Sequence, residues 1–102
     1  MSDLNAVSMY YVYVLQSESD SGLYIGFSTD LRRRLKQHND GESRATAYRG
    51  PWGLIYYEAY VEELDARGRE EFLKSGLGRK FLGKQCRHYF NKHPRRRLDI
   101  SS

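Results

Sequence analysis

Five polar side chains, distant from one another in the sequence, are of types that together could hydrolyse a phosphodiester: Tyr13, Tyr24, Arg34, His38 and Glu70. The reaction needs an oriented or deprotonated water, and it needs the charge developing on the phosphate and the leaving oxygen to be stabilised. An arginine can hold the phosphate with its fork of donors, and one carboxylate can hold a divalent cation that keeps most of its waters. A tyrosine can take or relay a proton if nearby cations lower its pKa from about 10, and Arg34 or a metal would supply that charge.

Arg34 and His38 border an apolar stripe of a predicted helix, where charged side chains are uncommon. Leu31 and Leu35 define the stripe, and Arg34 and His38 are themselves four residues apart beside it. A partly buried charge must be paired or must hold a ligand. The alternatives are a solvated charge for Arg34 and a helix-end position for His38, where the helix dipole favours histidine.

Glu70 falls on the apolar stripe of a second predicted helix. The stripe also holds Ala66, Leu73 and Leu77, whereas the neighbouring Glu71 is the better candidate for a surface residue. Glu70 is therefore the predicted metal ligand, and the ion that suits one carboxylate is Mg²⁺ or Mn²⁺.

Period-two alternation sorts the two faces of a predicted hairpin, with strands over residues 9–16 and 23–28 and a turn over 17–22. We expect one face to be buried: Val12, Val14, Leu23, Ile25 and Phe27. The opposite face carries Tyr11, Tyr13, Tyr24 and Gly26, so that two tyrosines share a face beside a glycine that leaves open space. The alternative for the tyrosines is plain cross-strand aromatic packing.

The remaining pattern predicts a helix over residues 31–38, capped by Ser28, Thr29 or Asp30, and a loop over 39–52. A third strand over 53–61 and a helix over about 64–75 follow, and after a break at Gly76 and Gly78 a last helix covers about 79–91. The order β-β-α-β-α-α indicates an α+β fold, with a small three-stranded antiparallel sheet flanked by helices. We predict an N-terminal extension over 1–8, the domain over 9–91 and a basic tail over 92–102.

Length and composition restrict the class of protein. The chain has 102 residues, enough for one small domain, and its hydrophobic content of 39% is too high for a disordered chain. No apolar run is long enough for a spanning helix, and the start MSDLNAVS has no signal-peptide pattern. The single cysteine, Cys86, makes neither an internal disulfide nor a cysteine-based zinc site. We therefore expect a cytoplasmic protein that makes no contact with a membrane.

The charge is unevenly distributed along the chain. The net charge is +4, and residues 1–74 hold nine basic and twelve acidic side chains, whereas residues 75–102 hold eight basic side chains and one acidic one. This asymmetry suggests a polyanion as partner. Tyr48 and Arg49 lie in a basic, aromatic loop that could stack bases, although the nearby Trp52 could equally close the core.

The chain resembles the GIY-YIG nuclease domain in four runs: YVY at 11–13, YIG at 24–26, DLRRRL at 30–35 and HN at 38–39. Later runs resemble a branch of small stand-alone bacterial proteins related to the incision subunit of excision repair: ARGRE at 66–70, FLK at 72–74 and GRKFL at 78–82. The resemblance covers about residues 9–91. One departure is YV where the name of the family has GI, and it leaves the tyrosine of the motif intact.

The resemblance implies a role for each of the five side chains. Tyr13 and Tyr24 would organise the attacking water, with one of them the general base, and the sequence leaves open which one. Arg34 would contact the scissile phosphate, His38 would contact the phosphate or relay a proton, and Glu70 would bind the single metal. Further residues are predicted to contact nucleic acid, and Gly26 among them would let substrate or metal approach: Gly26, Arg33, Lys36, Tyr48, Arg49, Lys74, Arg79, Lys80, Lys84 and Arg87.

The resemblance thus implies a DNA endonuclease connected with repair, using one Mg²⁺ or Mn²⁺ and no small-molecule cofactor. Because the sequence shows no second DNA-reading domain, we expect strand state or structure to select the substrate. Single-stranded DNA is one candidate, and RNA remains open. We expect a monomer or a weak dimer. The alternative function is a non-catalytic nucleic-acid-binding module, or a subunit of a repair complex, with the same fold.

Overall fold

A computed structural model describes residues 8–96, which form three strands and four helices. In chain order these are β1 (Tyr10–Ser17), β2 (Leu23–Ser28), α1 (Leu31–Asn39), β3 (Trp52–Tyr60), α2 (Glu63–Lys74), α3 (Gly76–Gln85) and α4 (Arg87–Lys92). The strands form one antiparallel sheet in the order β2-β1-β3. The predicted α+β fold is confirmed. Most of the predicted N-terminal extension (residues 1–7) and residues 97–102 of the predicted tail lie outside the described residues, and the predicted domain limits stay predictions.

The central strand β1 gives the sheet its two buried faces. Its residues are mostly β-branched and aromatic, which favours a pleated, packed strand, and alternate side chains point to opposite faces. On one face, under α2 and α3, lies the larger core: Val12, Val14, Leu23, Ile25, Ala66, Leu73 and Leu82. The predicted buried face of the hairpin is therefore confirmed, with Phe27 half-buried at its edge.

The second face of the sheet, which the sequence left open, is packed beneath α1. Tyr13, Leu15 and Trp52 are buried there, and Leu31 and Leu35 of α1 pack on them. Trp52 is only 3% exposed, so it closes the core, as the alternative interpretation of this residue had it. The cost of this arrangement is that polar side chains of α1 become buried with the apolar ones.

The break between α2 and α3 differs from the prediction. The chain bends at Ser75, whose hydroxyl accepts the N–H of Gly78 at 3.1 Å and so caps α3. Gly78 lies inside α3, where a Cβ would meet the Cα of Leu73 at 2.5 Å. This glycine therefore permits close packing of α3 on α2 rather than breaking a helix. Leu77 was expected on the stripe of α2, but it belongs to α3 and is 71% exposed.

The predicted last helix is two helices, α3 and α4, and the chain after them packs on the turn between β1 and β2. The backbone N–H of Arg96 donates to the carbonyl of Ser21 at 3.0 Å, and Nε2 of Gln16 donates to the carbonyl of His93 at 3.3 Å. Arg96 also forms an ion pair with Asp20 at 3.3 Å. Within residues 8–96, no helix combines the length and the apolar character needed to cross a bilayer.

Candidate active site

Tyr13 is at the centre of the site and is 1% exposed. It lies opposite Gly26 in the register of β1 and β2. A Cβ on Gly26 would meet Cζ of the Tyr13 phenol at 2.6 Å, so the phenol occupies the space that the missing side chain leaves. The expectation that Gly26 leaves room for substrate or metal is therefore wrong, because Tyr13 fills that room.

A chain of hydrogen bonds runs from Arg34 through Tyr13 into the interior. Nε of Arg34 donates to the Tyr13 hydroxyl at 3.4 Å, and that hydroxyl lies 2.8 Å from Nε2 of His38. Nδ1 of His38 lies 2.7 Å from the hydroxyl of Thr46, which donates to the carbonyl of Ser43 at 3.4 Å. Every group is satisfied when the Tyr13 hydroxyl donates to Nε2 and Nδ1–H donates to Thr46. We infer this tautomer of His38 from the hydrogen-bond pattern.

Burial sets the protonation state of both partners. Burial, with the charge of Arg34, lowers the pKa of His38 to about 4. Burial also raises the pKa of Tyr13 to about 12, although the hydrogen bond from Arg34 acts in the opposite direction. Arg34 thus acts on the pKa of Tyr13 in the expected direction, but burial outweighs it, and the pKa of this tyrosine is raised rather than lowered. At neutral pH the phenol is a donor and the imidazole a neutral acceptor.

His38 acts on the site through Tyr13. The histidine is 1% exposed, and both of its ring nitrogens are hydrogen-bonded inside the protein. A phosphate on the surface does not reach it. The expectation of a direct phosphate contact from His38 is corrected accordingly, and the proton relay, its alternative role, stays a prediction.

Tyr24 differs from Tyr13 in being half-buried, so part of it faces solvent. Its ring lies 4.9 Å from the His38 ring and 6.4 Å from the Tyr13 ring, between centroids. The guanidinium of Arg34 donates to the Tyr13 hydroxyl through Nε and to the side chain of Gln37 at 3.0 Å through Nη1. Arg34 is therefore held beside the buried tyrosine, and the accessible one lies next to that pair.

Glu70 reaches the site from α2, on the other side of the sheet. Its side chain is 17% exposed, 2.9 Å from Nζ of Lys74 and 3.9 Å from Nη1 of Arg67. Arg67 covers the ring of Phe27 in β2, which places this part of α2 against the edge strand. The charge of Glu70 contributes to the raised pKa of Tyr13, so the carboxylate lies within electrostatic range of the phenol. The fold thus brings Tyr13, Tyr24, Arg34 and His38 together, whereas Glu70 contacts Lys74 and Arg67 of its own helix.

Glu70 could hold a hydrated divalent ion, which needs only one protein ligand. Within residues 8–96, no group of three or more His, Cys, Asp or Glu side chains could hold a metal ion. A single carboxylate suits an ion such as Mg²⁺, which keeps several waters. The present partners of Glu70, Arg67 and Lys74, are long, exposed side chains that can move aside for an ion.

The structure divides the residues predicted to contact nucleic acid. Most are exposed, as a backbone contact requires: Arg33, Lys36, Tyr48, Lys74, Lys80, Lys84 and Arg87. Arg79 is only 5% exposed, and its prediction is wrong because α3 turns this residue into the interior. The Arg49 guanidinium binds Asp20 at 2.9 Å and covers the Trp52 ring, so it ties the loop before β3 to the β1–β2 turn. Arg49 remains partly exposed, and its contact with nucleic acid stays a prediction.

Sequence reasoning missed Thr46 and Asn39. Thr46 is fully buried and holds the second nitrogen of His38. Asn39 donates to the carbonyl of Trp52 at 3.1 Å and accepts its N–H at 2.6 Å. Asn39 is the last residue of α1, and Thr46 lies in the segment joining α1 to β3, which has no periodicity to reveal that its side chain turns inward. The one available signal was that a buried histidine needs a partner for each nitrogen.

The chain is similar in sequence to a known domain family and to several proteins of other organisms. Residues 9–82 match the sequence profile of the GIY-YIG catalytic domain. A UPF0213 protein of Clostridium perfringens is 39% identical over 67 residues, covering 65% of this chain and 71% of the relative. A UPF0213 protein of Streptococcus pyogenes is 42% identical over 65 residues, covering 63% of this chain and 70% of the relative. The solution NMR structure of a UPF0213 protein of Bacillus halodurans is 25% identical, covering 90% of this chain and 92% of the other, with a TM-score of 0.41.

Proposed function

This chain belongs to the GIY-YIG catalytic domain family, and we propose that it is an endonuclease that hydrolyses phosphodiester bonds of DNA. The observation that carries the proposal is the position of Arg34, whose Nε donates to the hydroxyl of Tyr13 at 3.4 Å, while the ring of Tyr24 lies 6.4 Å from the Tyr13 ring. Glu70 belongs to α2, and its charge acts on Tyr13. This set of groups matches what phosphodiester hydrolysis needs.

Arg34 holds the scissile phosphate in this proposal. A guanidinium carries five N–H donors in a plane, which suits the oxygens of a phosphate. The buried pair of Tyr13 and His38 fixes the position of Nε, while the half-buried side chain keeps a route to the surface. Arg34 is thereby preorganised before substrate arrives, which is how fixed donors stabilise developing charge most effectively.

Tyr24 is the tyrosine that orients the attacking water. Its side chain is half-exposed, whereas Tyr13 is buried and its hydroxyl is committed to His38. Glu70 would hold one Mg²⁺ or Mn²⁺, which supplies positive charge against the developing charge on the phosphate and the leaving oxygen. Exposed basic side chains of α3 and α4 support a nucleic-acid backbone as the partner: Lys80, Lys84 and Arg87.

The test uses the full chain with end-labelled single-stranded, duplex and branched DNA and single-stranded RNA, in Mg²⁺, Mn²⁺ or EDTA. We expect cleavage that requires metal, and a fall of about 100- to 1,000-fold for Arg34→Ala in single-turnover rate. Arg44→Ala is the matched control, because Arg44 is an exposed arginine outside the site. Binding without cleavage under every condition would favour the non-catalytic module instead.

A further inference from the structure

A second aromatic pair, Tyr11 and Tyr57, lies on the face of the sheet that carries Tyr13, which we call the catalytic face. Tyr57 of β3 is directly opposite Tyr13 in the register, and Tyr11 precedes Tyr13 by two residues, so all three side chains share one face. The rings of Tyr11 and Tyr57 meet edge to face, with centroids 6.0 Å apart and planes at 63°. Tyr57 is 52% exposed, which is high for so large a ring.

The tyrosines on the two faces of β3 differ in the hydrogen bonding of their hydroxyls. On the α2 face, the hydroxyls of Tyr56 and Tyr60 donate to Glu58, which also binds Arg69 at 2.9 Å. On the catalytic face, within the described part of the chain, the Tyr57 and Tyr11 hydroxyls have no hydrogen-bond partner. The tyrosines of the α2 face are therefore tied into the structure, whereas the pair on the catalytic face presents free ring surface and free hydroxyls.

Tyr11 and Tyr57 line one wall of a cleft of about 260 Å³ between the sheet and the start of α1. The opposite wall holds Leu31 and the segment of Thr29 and Asp30, and Arg32 stands at the cleft as well. The cleft is flat and aromatic on one side and apolar with polar edges on the other. Such a shape suits a planar heterocycle, because every nucleobase has a face that stacks on aromatic rings.

The aromatic cleft joins the phosphate site directly. A neighbouring cleft of about 220 Å³ is lined by Arg33, Arg34 and Gln37, and Thr29 and Asp30 belong to both clefts. The Asp30 carboxylate already accepts the N–H of Arg33 as the helix cap, so it adds negative charge to the shared edge. Its oxygens can also accept the amino or imino edge of a base.

We propose that Tyr11 and Tyr57 bind an unpaired nucleobase of the strand whose phosphate Arg34 holds. The proposal rests on the proposed function for the nature of the ligand, and it goes beyond that function by assigning a base-binding site. A base within a duplex is stacked on both faces and cannot enter the cleft. The site therefore contributes affinity only where a nucleotide is free of its stack.

The experiment compares two strands of equal charge, a dT12 oligonucleotide and a 12-mer of abasic deoxyribose phosphates, bound to the full chain in EDTA. Fluorescence anisotropy gives the two dissociation constants. We expect wild type to prefer the strand with bases by about 5- to 150-fold, as stacking on one or two aromatic rings provides. Tyr57→Leu should bring this ratio close to one, Tyr11→Leu should lower it, and Tyr57→Phe, which keeps the ring face, should retain it.

Three results would overturn the proposal: an unchanged ratio for Tyr57→Leu, loss of the ratio in Tyr48→Leu alone, or no preference for bases in wild type. Tyr48 is the informative comparison, because it is 99% exposed and lies in the loop before β3. An intact duplex should bind Tyr57→Leu and wild type equally. Thermal unfolding checks that Tyr57→Leu folds, as its exposed position predicts. Because EDTA prevents metal-dependent cleavage, failure of the base site and failure of the nuclease are read in separate assays.

Discussion

The hydroxyl of Tyr13 lies 2.8 Å from Nε2 of His38 in the interior of the protein, and this contact gives the two tyrosines of the site different roles. Tyr13 is held as a hydrogen-bond donor by a histidine that is itself held by Thr46. Tyr24 has no such restraint from the interior and remains half-exposed. We therefore propose that the first tyrosine positions Arg34 and that the second meets substrate.

This division predicts different effects for the two phenylalanine variants. Tyr13→Phe leaves Nε2 of His38 without a donor in a buried place, so we expect the free energy of unfolding to fall by about 1–3 kcal/mol. Tyr24→Phe should leave stability within about 0.5 kcal/mol and lower the single-turnover cleavage rate instead. Urea unfolding and cleavage under the same buffer measure both. A large stability loss in Tyr24→Phe with none in Tyr13→Phe would reverse the assignment.

The low pKa of His38 predicts that stability falls in mild acid. Its pKa is about 4 in the folded protein against an ordinary value of 6.5, so between these pH values the unfolded chain binds more protons. The contribution of neutral His38 to the free energy of unfolding is therefore complete above pH 6.5. It decreases as the pH falls towards 4, by on the order of 2–3 kcal/mol. Asp20, whose pKa Arg49 holds at about 2, loses its contribution only at lower pH.

Chemical denaturation of wild type, His38→Gln and His88→Gln between pH 7 and pH 4 measures this effect. His88 is an exposed histidine of α4 and serves as the matched control. We expect wild type and His88→Gln to share the decrease, and His38→Gln to have a flatter profile. Parallel profiles for all three proteins would contradict a neutral, buried His38.

Gly26→Ala should be destabilising because its methyl group would enter the space of the Tyr13 phenol, 2.6 Å from Cζ. The ring is buried and cannot move aside freely, so we expect a loss of about 1–3 kcal/mol. Gly53→Ala is the control, since a Cβ at Gly53 meets no atom within 4 Å. Thermal unfolding of both variants should therefore separate them clearly, and equal melting temperatures would count against this packing.

Lys74→Gln should strengthen metal binding at Glu70. Nζ of Lys74 lies 2.9 Å from the carboxylate and competes with a cation there. Because the lysine is exposed, its attraction is screened, and we expect the dissociation constant for Mn²⁺ to fall only about two- to fivefold. Titration calorimetry with Mn²⁺ in the absence of DNA measures this, with Lys84→Gln as the control. Weaker binding in Lys74→Gln would show that the lysine supports the ion rather than competing with it.

Sequence patterns predicted the sheet and its faces because strand alternation is a local property. The faces of Val12 and Tyr13 follow from period two, and the pairing of Tyr13 with Gly26 follows once the hairpin is recognised. The depth of Tyr13 was not predictable in the same way. It depends on α1 and Trp52 closing over the second face, which is a tertiary contact without a sequence period.

The proximity of Tyr13, Arg34 and His38 was predictable, but their degree of burial was not. Arg34 and Glu70 were found from their positions on helix stripes; the structure brings Arg34 to Tyr13, and Glu70 as metal ligand stays a prediction. Burial of His38 and of Arg79 reverses the roles inferred from residue type, because exposure decides whether a cation or an imidazole meets substrate. Exposure is set by how helices pack, and residue type alone does not reveal it.

The most direct test of the account is cleavage of labelled DNA by wild type, Glu70→Gln and Glu71→Gln in Mg²⁺, Mn²⁺ and EDTA. Glu71 is the neighbouring, exposed carboxylate of the same helix, so it controls for charge and for helix stability. We expect metal-dependent cleavage by wild type and Glu71→Gln, and a loss of about 100-fold or more in Glu70→Gln. Equal cleavage by Glu70→Gln, or cleavage by wild type that persists in EDTA, would contradict it.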